Sequence, residues 1–184
     1  MKTEYNQLSR RRFLQTLTAA TTSVALLSPW RSVFASTSDR SLSFYHTHTG
    51  EHLKLTYFSD GQYQNTALQE INYCLRDFRT GEAYPIEPQL MDLLVTIQTV
   101  CDSHGTYEII SGYRSPKTNE SLRNQGRGVA KRSLHMLGQA IDVRLTDIET
   151  SHLRQAAASL KQGGVGYYAK SDFVHIDTGR VRYW

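Results

Sequence analysis

Two stretches decide the reading: Ser133-Leu-His135-Met-Leu-Gly138-Gln-Ala140-Ile-Asp142 and Phe173-Val-His175-Ile-Asp177. From 139 to 145 the residues alternate strictly. Ala140, Asp142 and Arg144 share one face of a predicted strand, and Ile141, Val143 and Leu145 share the other. In the second stretch Val174 and Ile176 oppose His175 and Asp177. Each strand thus has an aliphatic back for a core and a front that can bind a metal. His135, Asp142 and His175 offer two imidazoles and one carboxylate to a single ion. Three N/O ligands with a coordination position left open is the arrangement of a catalytic zinc. Gly138 and Ala140 are small, which leaves room for a backbone that turns toward an ion. The same residues also suit two unconnected surface strands, each with a stray histidine. Spacing alone leaves both readings open, because H-x6-D and H-x-D are short patterns.

Working backward, 107–110 reads as a short strand that leads into Ser111-Gly-Tyr113-Arg114-Ser115. Ser115 caps and Pro116 opens a short helix to about Gln125. Apolar residues at three- and four-residue steps predict a helix over 66–78, capped by Asn65 or Thr66, and a second helix from Pro88 to Gly105. Both helices read as core packing without chemistry. Further forward, a helix starts at Asp147 or Thr150 and runs to Lys161, and Gly163 to Tyr168 is a glycine-rich turn into a strand. Segments 41–46 and 52–58 flank the turn residues Thr49-Gly50-Glu51 and read as an N-terminal β-hairpin. His46, His48 and His52 sit on that hairpin without a third ligand at telling spacing, so they read as surface histidines. The predicted fold is α+β in a single domain. It has a small antiparallel sheet that bears the metal site, with helices covering one face.

The 184 residues carry a formal net charge of +4. Five of the 21 basic residues and one of the 17 acidic residues lie in 1–35, which leaves 16 of each for 36–184. A nucleic-acid partner therefore loses its electrostatic support. Residues 1–35 read as an export signal: Ser9-Arg-Arg-Arg-Phe13-Leu14, an apolar run from Leu17 to Leu27 diluted by threonines, then Val33-Phe-Ala35 for cleavage. The pattern resembles the twin-arginine signal and implies a periplasmic location. The run is too short and polar to span a bilayer, and nothing else in the chain is long or apolar enough to do so. Cys74 and Cys101 lack CxxC spacing; they suit burial as small hydrophobes or a bridge in an oxidising compartment.

S-x-H-x-x-G-x-A-x-D, preceded by S-G-Y-R-S and followed by G-G-V-G-Y-Y and F-V-H-I-D, resembles the LAS group of zinc D-Ala-D-Ala metallopeptidases. The resemblance implies one Zn2+ held by His135, Asp142 and His175 in a domain over 36–184. It implies a monomeric enzyme that hydrolyses peptidoglycan stem peptides, as an endopeptidase on D-Ala to diaminopimelate cross-links. Alternatives are a D-Ala-D-Ala carboxypeptidase or dipeptidase, and a non-catalytic wall-binding module that keeps zinc as a staple. Arg114 is the expected stabiliser of charge on the attacked carbonyl. Many relatives carry a Glu three residues before the final His, or a His two before it. This chain has Asp172 and Phe173 there, so Asp172 is the first expectation for a general base and Asp177 the second. Tyr113, Ser133 and Tyr167 are the expected substrate contacts.

Overall fold

The computed structural model describes residues 38–126 and 128–184; the leader read at 1–35 lies outside them. In chain order the strands are β1 (Arg40–His46), β2 (His52–Ser59), β3 (Gln62–Tyr63), β4 (Tyr107–Ser111), β5 (Ala140–Leu145), β6 (Gly164–Tyr168), β7 (Phe173–Asp177) and β8 (Arg182–Tyr183). The helices are α1 (Asn65–Cys74), α2 (Pro88–Val100), α3 (Pro116–Asn124) and α4 (Thr150–Leu160). The strands form one eight-stranded sheet in the order β3-β2-β1-β4-β5-β7-β6-β8. It is larger than the small antiparallel sheet expected from the sequence, and it is mixed. β1 lies parallel to β4, and β8 parallel to β6. The β1–β4 pair needs a long crossover, which α1 and α2 supply. β1 and β2 pair antiparallel from Tyr45↔His52 to Arg40↔Phe58.

The local reasons are ordinary. β1 alternates, burying Leu42, Phe44 and His46. α2 opens on Pro88, whose missing N–H would have no helical partner at that position. α3 is capped by Ser115, whose Oγ accepts from the Thr118 N–H at 3.2 Å. Helices α1, α2 and α4 pack on the sheet, and Ile71, Leu90, Leu94, Ile97 and Leu153 join Ile141, Val143, Val174 and Ile176 in one core. Each such side chain contributes about 1.5–3 kcal/mol by leaving water.

α1 ends at Cys74, four residues short of the sequence expectation. Asp77, only 1% exposed, organises the turn that follows: its carbonyl accepts from the N–H groups of Thr80 and Gly81. Backbone bonding in that turn displaces the helical ladder, and Phe78 leaves the helix face. α2 likewise stops at Val100, before Gly105. Cys74 and Cys101 are free thiols; burial pushes the Cys74 pKa up to about 11.

Candidate metal centre

The β5–β7 register sets the site. Ile141 faces Ile176 and Val143 faces Val174, all within the core; between them Asp142 faces His175 on the other side of the sheet. Opposed residues on antiparallel strands sit close enough for their side chains to meet. His135 arrives from a short 3-10 turn, Leu134–Leu137, held in place by its backbone. The Arg114 N–H donates to the His135 carbonyl at 3.2 Å, and the Glu87 N–H donates to the Gly138 carbonyl at 2.9 Å. Gly138 closes the turn at φ +66°, and a Cβ there would overlap the Pro85 carbonyl oxygen. Only glycine meets both conditions.

The three donors form a triangle. His135 Nε2 is 3.2 Å from His175 Nδ1, His175 Nδ1 is 2.8 Å from Asp142 Oδ1, and His135 Nε2 is 3.3 Å from Asp142 Oδ1. Tetrahedral bonds of about 2.0–2.1 Å place ligand atoms about 3.3 Å apart, so the triangle fits a metal of zinc's size. The hydrogen bonds behind the donors fix which atoms carry lone pairs. His135 Nδ1 donates to the Gly112 carbonyl at 2.7 Å, which leaves Nε2 bare. His175 Nε2 donates to Asp177 Oδ2 at 2.9 Å, which leaves Nδ1 bare. Two imidazole lone pairs and a carboxylate oxygen therefore point at one another. Uncompensated, that arrangement repels, and a cation relieves it.

The proton competes for the same place. Burial alone lowers the His175 pKa, but the hydrogen bonds and charges of Asp142 and Asp177 outweigh it and push it up to about 9. Burial would raise Asp142, yet the charge of His135 and hydrogen bonds from both imidazoles hold it well below the usual carboxylate range. Asp177 is similar: burial opposes, while His175, Arg182 and the N–H groups of Gly179 and Gly164 hold its carboxyl low.

A cleft of about 780 Å³ opens over these donors. Arg114 and Ser133 line it; the Arg114 guanidinium stands 3.8 Å from Asp142 Oδ2. Tyr168, which the sequence also offered as a cleft-lining tyrosine, lines it, and so does Trp184, to which sequence reasoning gave no role in the site. The Trp184 indole lies over the place a side chain on Gly166 would fill, 5.2 Å from the His175 ring, and donates to the Tyr168 hydroxyl at 3.0 Å.

Several expected site residues lie elsewhere. Tyr113 is 4% exposed, stacks on Tyr84 and bonds Glu82; a register shift between Ile109 and Ser111 precedes it. Tyr167 pairs with Val174, so strand parity turns it away from His175; Tyr168 has the right parity. Asp172 caps a turn at φ +50°, where its carboxylate accepts from Thr150 Oγ1 at 2.7 Å and faces Arg144. With Tyr167 it lines a separate depression, so Asp172 does not face the donors. Asp177 is fully buried behind His175, where it orients a donor and has no access to a substrate. Among the described residues lining the cleft, Asp142 is the only one with a carboxylate side chain. Of the histidines at 46, 48 and 52, the last two are exposed as expected and only the first departs. His46 is 0% exposed, since β1 alternation points it inward, and His48 lines the cleft.

A family model described as Peptidoglycan L,D-endopeptidase MepK matches residues 34–184. Peptidoglycan L,D-endopeptidase MepK of Escherichia coli (strain K12) is 39% identical over 176 residues, spanning 96% of this chain and 97% of that protein. Probable peptidoglycan L,D-endopeptidase MepK of Haemophilus influenzae is 40% identical over 146 residues, 79% of this chain and 78% of that protein. Among solved structures, the L-Ala D-Glu endopeptidase ChiX of Serratia marcescens aligns with a TM-score of 0.35 at 19% identity. That match covers 52% of this chain and 69% of that one, a likeness too remote to carry an argument.

Proposed function

The chain belongs to the peptidoglycan L,D-endopeptidase MepK family, and from that premise we propose that it is a zinc-dependent murein endopeptidase. The observation that carries the reading is the triangle of lone-pair donors from His135, Asp142 and His175 beneath an open cleft. Zinc bound there supplies a Lewis acid that makes water nucleophilic at neutral pH.

The chain's own residues do the rest. Gly112 and Asp177 lock the two imidazole tautomers, so neither ring has to reorganise. Arg114 gives the attacked carbonyl oxygen a fixed cation as negative charge grows on it. Burial holds the Arg114 pKa below its ordinary value, Asp142 opposes that and Arg79 adds to it, yet a guanidinium stays charged. Asp172 and Asp177 are not proposed as the base. Among the described residues lining the cleft, the non-ligand imidazole is His48 and the phenol is Tyr168.

The relatives' name specifies a bond between an L- and a D-configured centre. The bond proposed for this chain is therefore of that type. It replaces the D-Ala to diaminopimelate linkage, whose carbonyl belongs to a D residue. A diaminopimelate to diaminopimelate cross-link, the 3,3 type, contains an L carbonyl joined to a D centre. Peptidoglycan lies outside the cytoplasmic membrane, so an extracytoplasmic location follows, with residues 1–35 as the twin-arginine export signal. Among the described residues no helix is long and apolar enough to cross a membrane.

Digestion of purified 3,3- and 4,3-linked muropeptides, with and without a chelator, tests the proposal. The expected result is cleavage of the 3,3 substrate, lost on metal removal and restored by Zn2+. Full activity after rigorous metal removal would overturn it.

A further inference from the structure

The cleft is basic although residues 36–184 are formally neutral. Arg79, Arg114, Arg132 and Arg182 line it. Arg182 is committed to Asp177 at 2.7 Å. Arg114 has one acid nearby, Asp142 at 3.8 Å, and its buried Nε has no hydrogen-bond partner. Among the described residues, neither Arg79 nor Arg132 has an acid within 4.0 Å.

Arg79 is also mounted. Its guanidinium carbon lies 4.1 Å from the centre of the Phe78 ring, and the His48 ring stacks on Phe78 at 3.9 Å and 14°. Two groups about 4 Å from one ring centre cannot share a face, so Phe78 is clamped between them. The root is fixed as well. Asp77 Oδ1 accepts from the Arg79 N–H at 3.0 Å, and Asp77 Oδ2 accepts from the N–H of Ser115, next to Arg114, at 2.9 Å. One buried carboxylate thus anchors the backbones of both arginines. The Arg79 charge is one of the influences that disfavour the charged form of Arg114, and an anion bound near both relieves that repulsion.

We propose that Arg79 is a specificity-determining residue, whose guanidinium pairs with a free carboxylate on the peptide beside the scissile bond. The proposal rests on the endopeptidase reading and narrows its substrate class to peptides with an unmodified carboxylate at that place. Guanidinium and carboxylate match as a two-point hydrogen-bonded pair, and the field of Arg114 adds to the attraction. The primary amide of the same peptide keeps the shape and loses the charge.

The test is steady-state kinetics of the full chain on two cross-linked peptides that differ only in carboxylate against primary amide. Wild type should prefer the acid by about tenfold or more in kcat/KM, the size of one partly solvated charge-assisted pair. Arg79→Gln should lower kcat/KM for the acid about tenfold, through KM, and leave the amide unchanged. Arg79→Lys should recover part of the preference. Arg79 is exposed, so these variants keep the fold. An equal loss on both substrates, or no loss on either, overturns the proposal. If wild type cleaves neither peptide, the endopeptidase reading fails. Calorimetric binding of the two uncleaved peptides to wild type and Arg79→Gln then decides the subsite alone, and equal affinities would refute it.

Discussion

Replacing Asp177 by asparagine, the same shape without the charge, probes how the donors are held. The carboxylate is fully buried and accepts from Gly164 N at 3.0 Å, Gly179 N at 2.8 Å, His175 Nε2 at 2.9 Å and both Arg182 terminal nitrogens at 3.1 and 2.7 Å. Oδ1 serves the two backbone groups, and Oδ2 serves His175. An asparagine has one acceptor oxygen. In one flip its NH2 faces His175 and Arg182; in the other it faces Gly164 and Gly179. Either way donors meet donors. Two lost bonds to a charged acceptor cost about 3 kcal/mol of stability or more. In the first flip, moreover, His175 must accept from the amide at Nε2, which puts its proton on Nδ1, the atom aimed at Asp142 and His135. A ring in that tautomer cannot ligate. Zinc affinity, measured by competition with a chromophoric chelator, should fall about 10- to 100-fold. Asp177→Asn with wild-type zinc affinity would refute the tautomer argument, whatever happened to the melting temperature.

Other variants test separate parts. Burial pushes the Asp77 carboxyl up, but hydrogen bonds from Thr118, Ser115 and Arg79 outweigh that and hold its pKa below the ordinary value. Its contribution to stability is therefore complete above about pH 4 and lost as pH falls through the lower folded value. Asp77→Asn should lower Tm at pH 7 by about 4–8 °C, for about 2 kcal/mol, and should flatten the acid limb of a Tm–pH profile. Gly138→Ala forces φ +66° on a residue with a Cβ and drives that Cβ into the Pro85 carbonyl. Thermal melts should show about 2 kcal/mol or more of destabilisation, with weaker metal binding. His135→Ala should cut turnover of cross-linked muropeptides by about 1000-fold or more. Asp172→Asn should leave kcat within about twofold and lower Tm slightly, through Thr150 and Arg144; a large fall in kcat would restore Asp172 to the chemistry.

What the sequence made legible was whatever strand parity controls. The aliphatic backs of β5 and β7 pointed Asp142 and His175 to one side, and the register sets them opposite each other. The same parity, applied to β6, selects Tyr168 over Tyr167, because Gly166 pairs with His175. Parity fails where the ladder slips, as it does before Tyr113. It is silent about strands that pair across long separations, so β1 lying parallel to β4 was not readable from either segment. Helical period misled at Phe78. Its spacing continues the α1 stripe, but the ring belongs to the clamp between His48 and Arg79. Nothing in the neighbouring residues announces that Asp77 will be buried and bonded to Ser115, 38 residues away.

The segment between α1 and α2 therefore does more than connect two core helices. Pro85 crowds Gly138, the Glu87 N–H holds the Gly138 carbonyl, and Asp77 anchors Ser115 beside Arg114. Arg114 in turn donates its N–H to His135. Two of the three donors stand on adjacent strands inside the sheet, β5 and β7, where pairing to β4 on one side and β6 on the other makes movement costly. The third stands on a turn whose position depends on this segment. A fault in the segment should reach the metal through His135, and a fault in Asp177 should reach it through His175. Combining Asp77→Asn with Asp177→Asn discriminates. If the two routes are independent, their effects on zinc affinity multiply; if the site fails as one unit, the double variant binds no worse than Asp177→Asn alone.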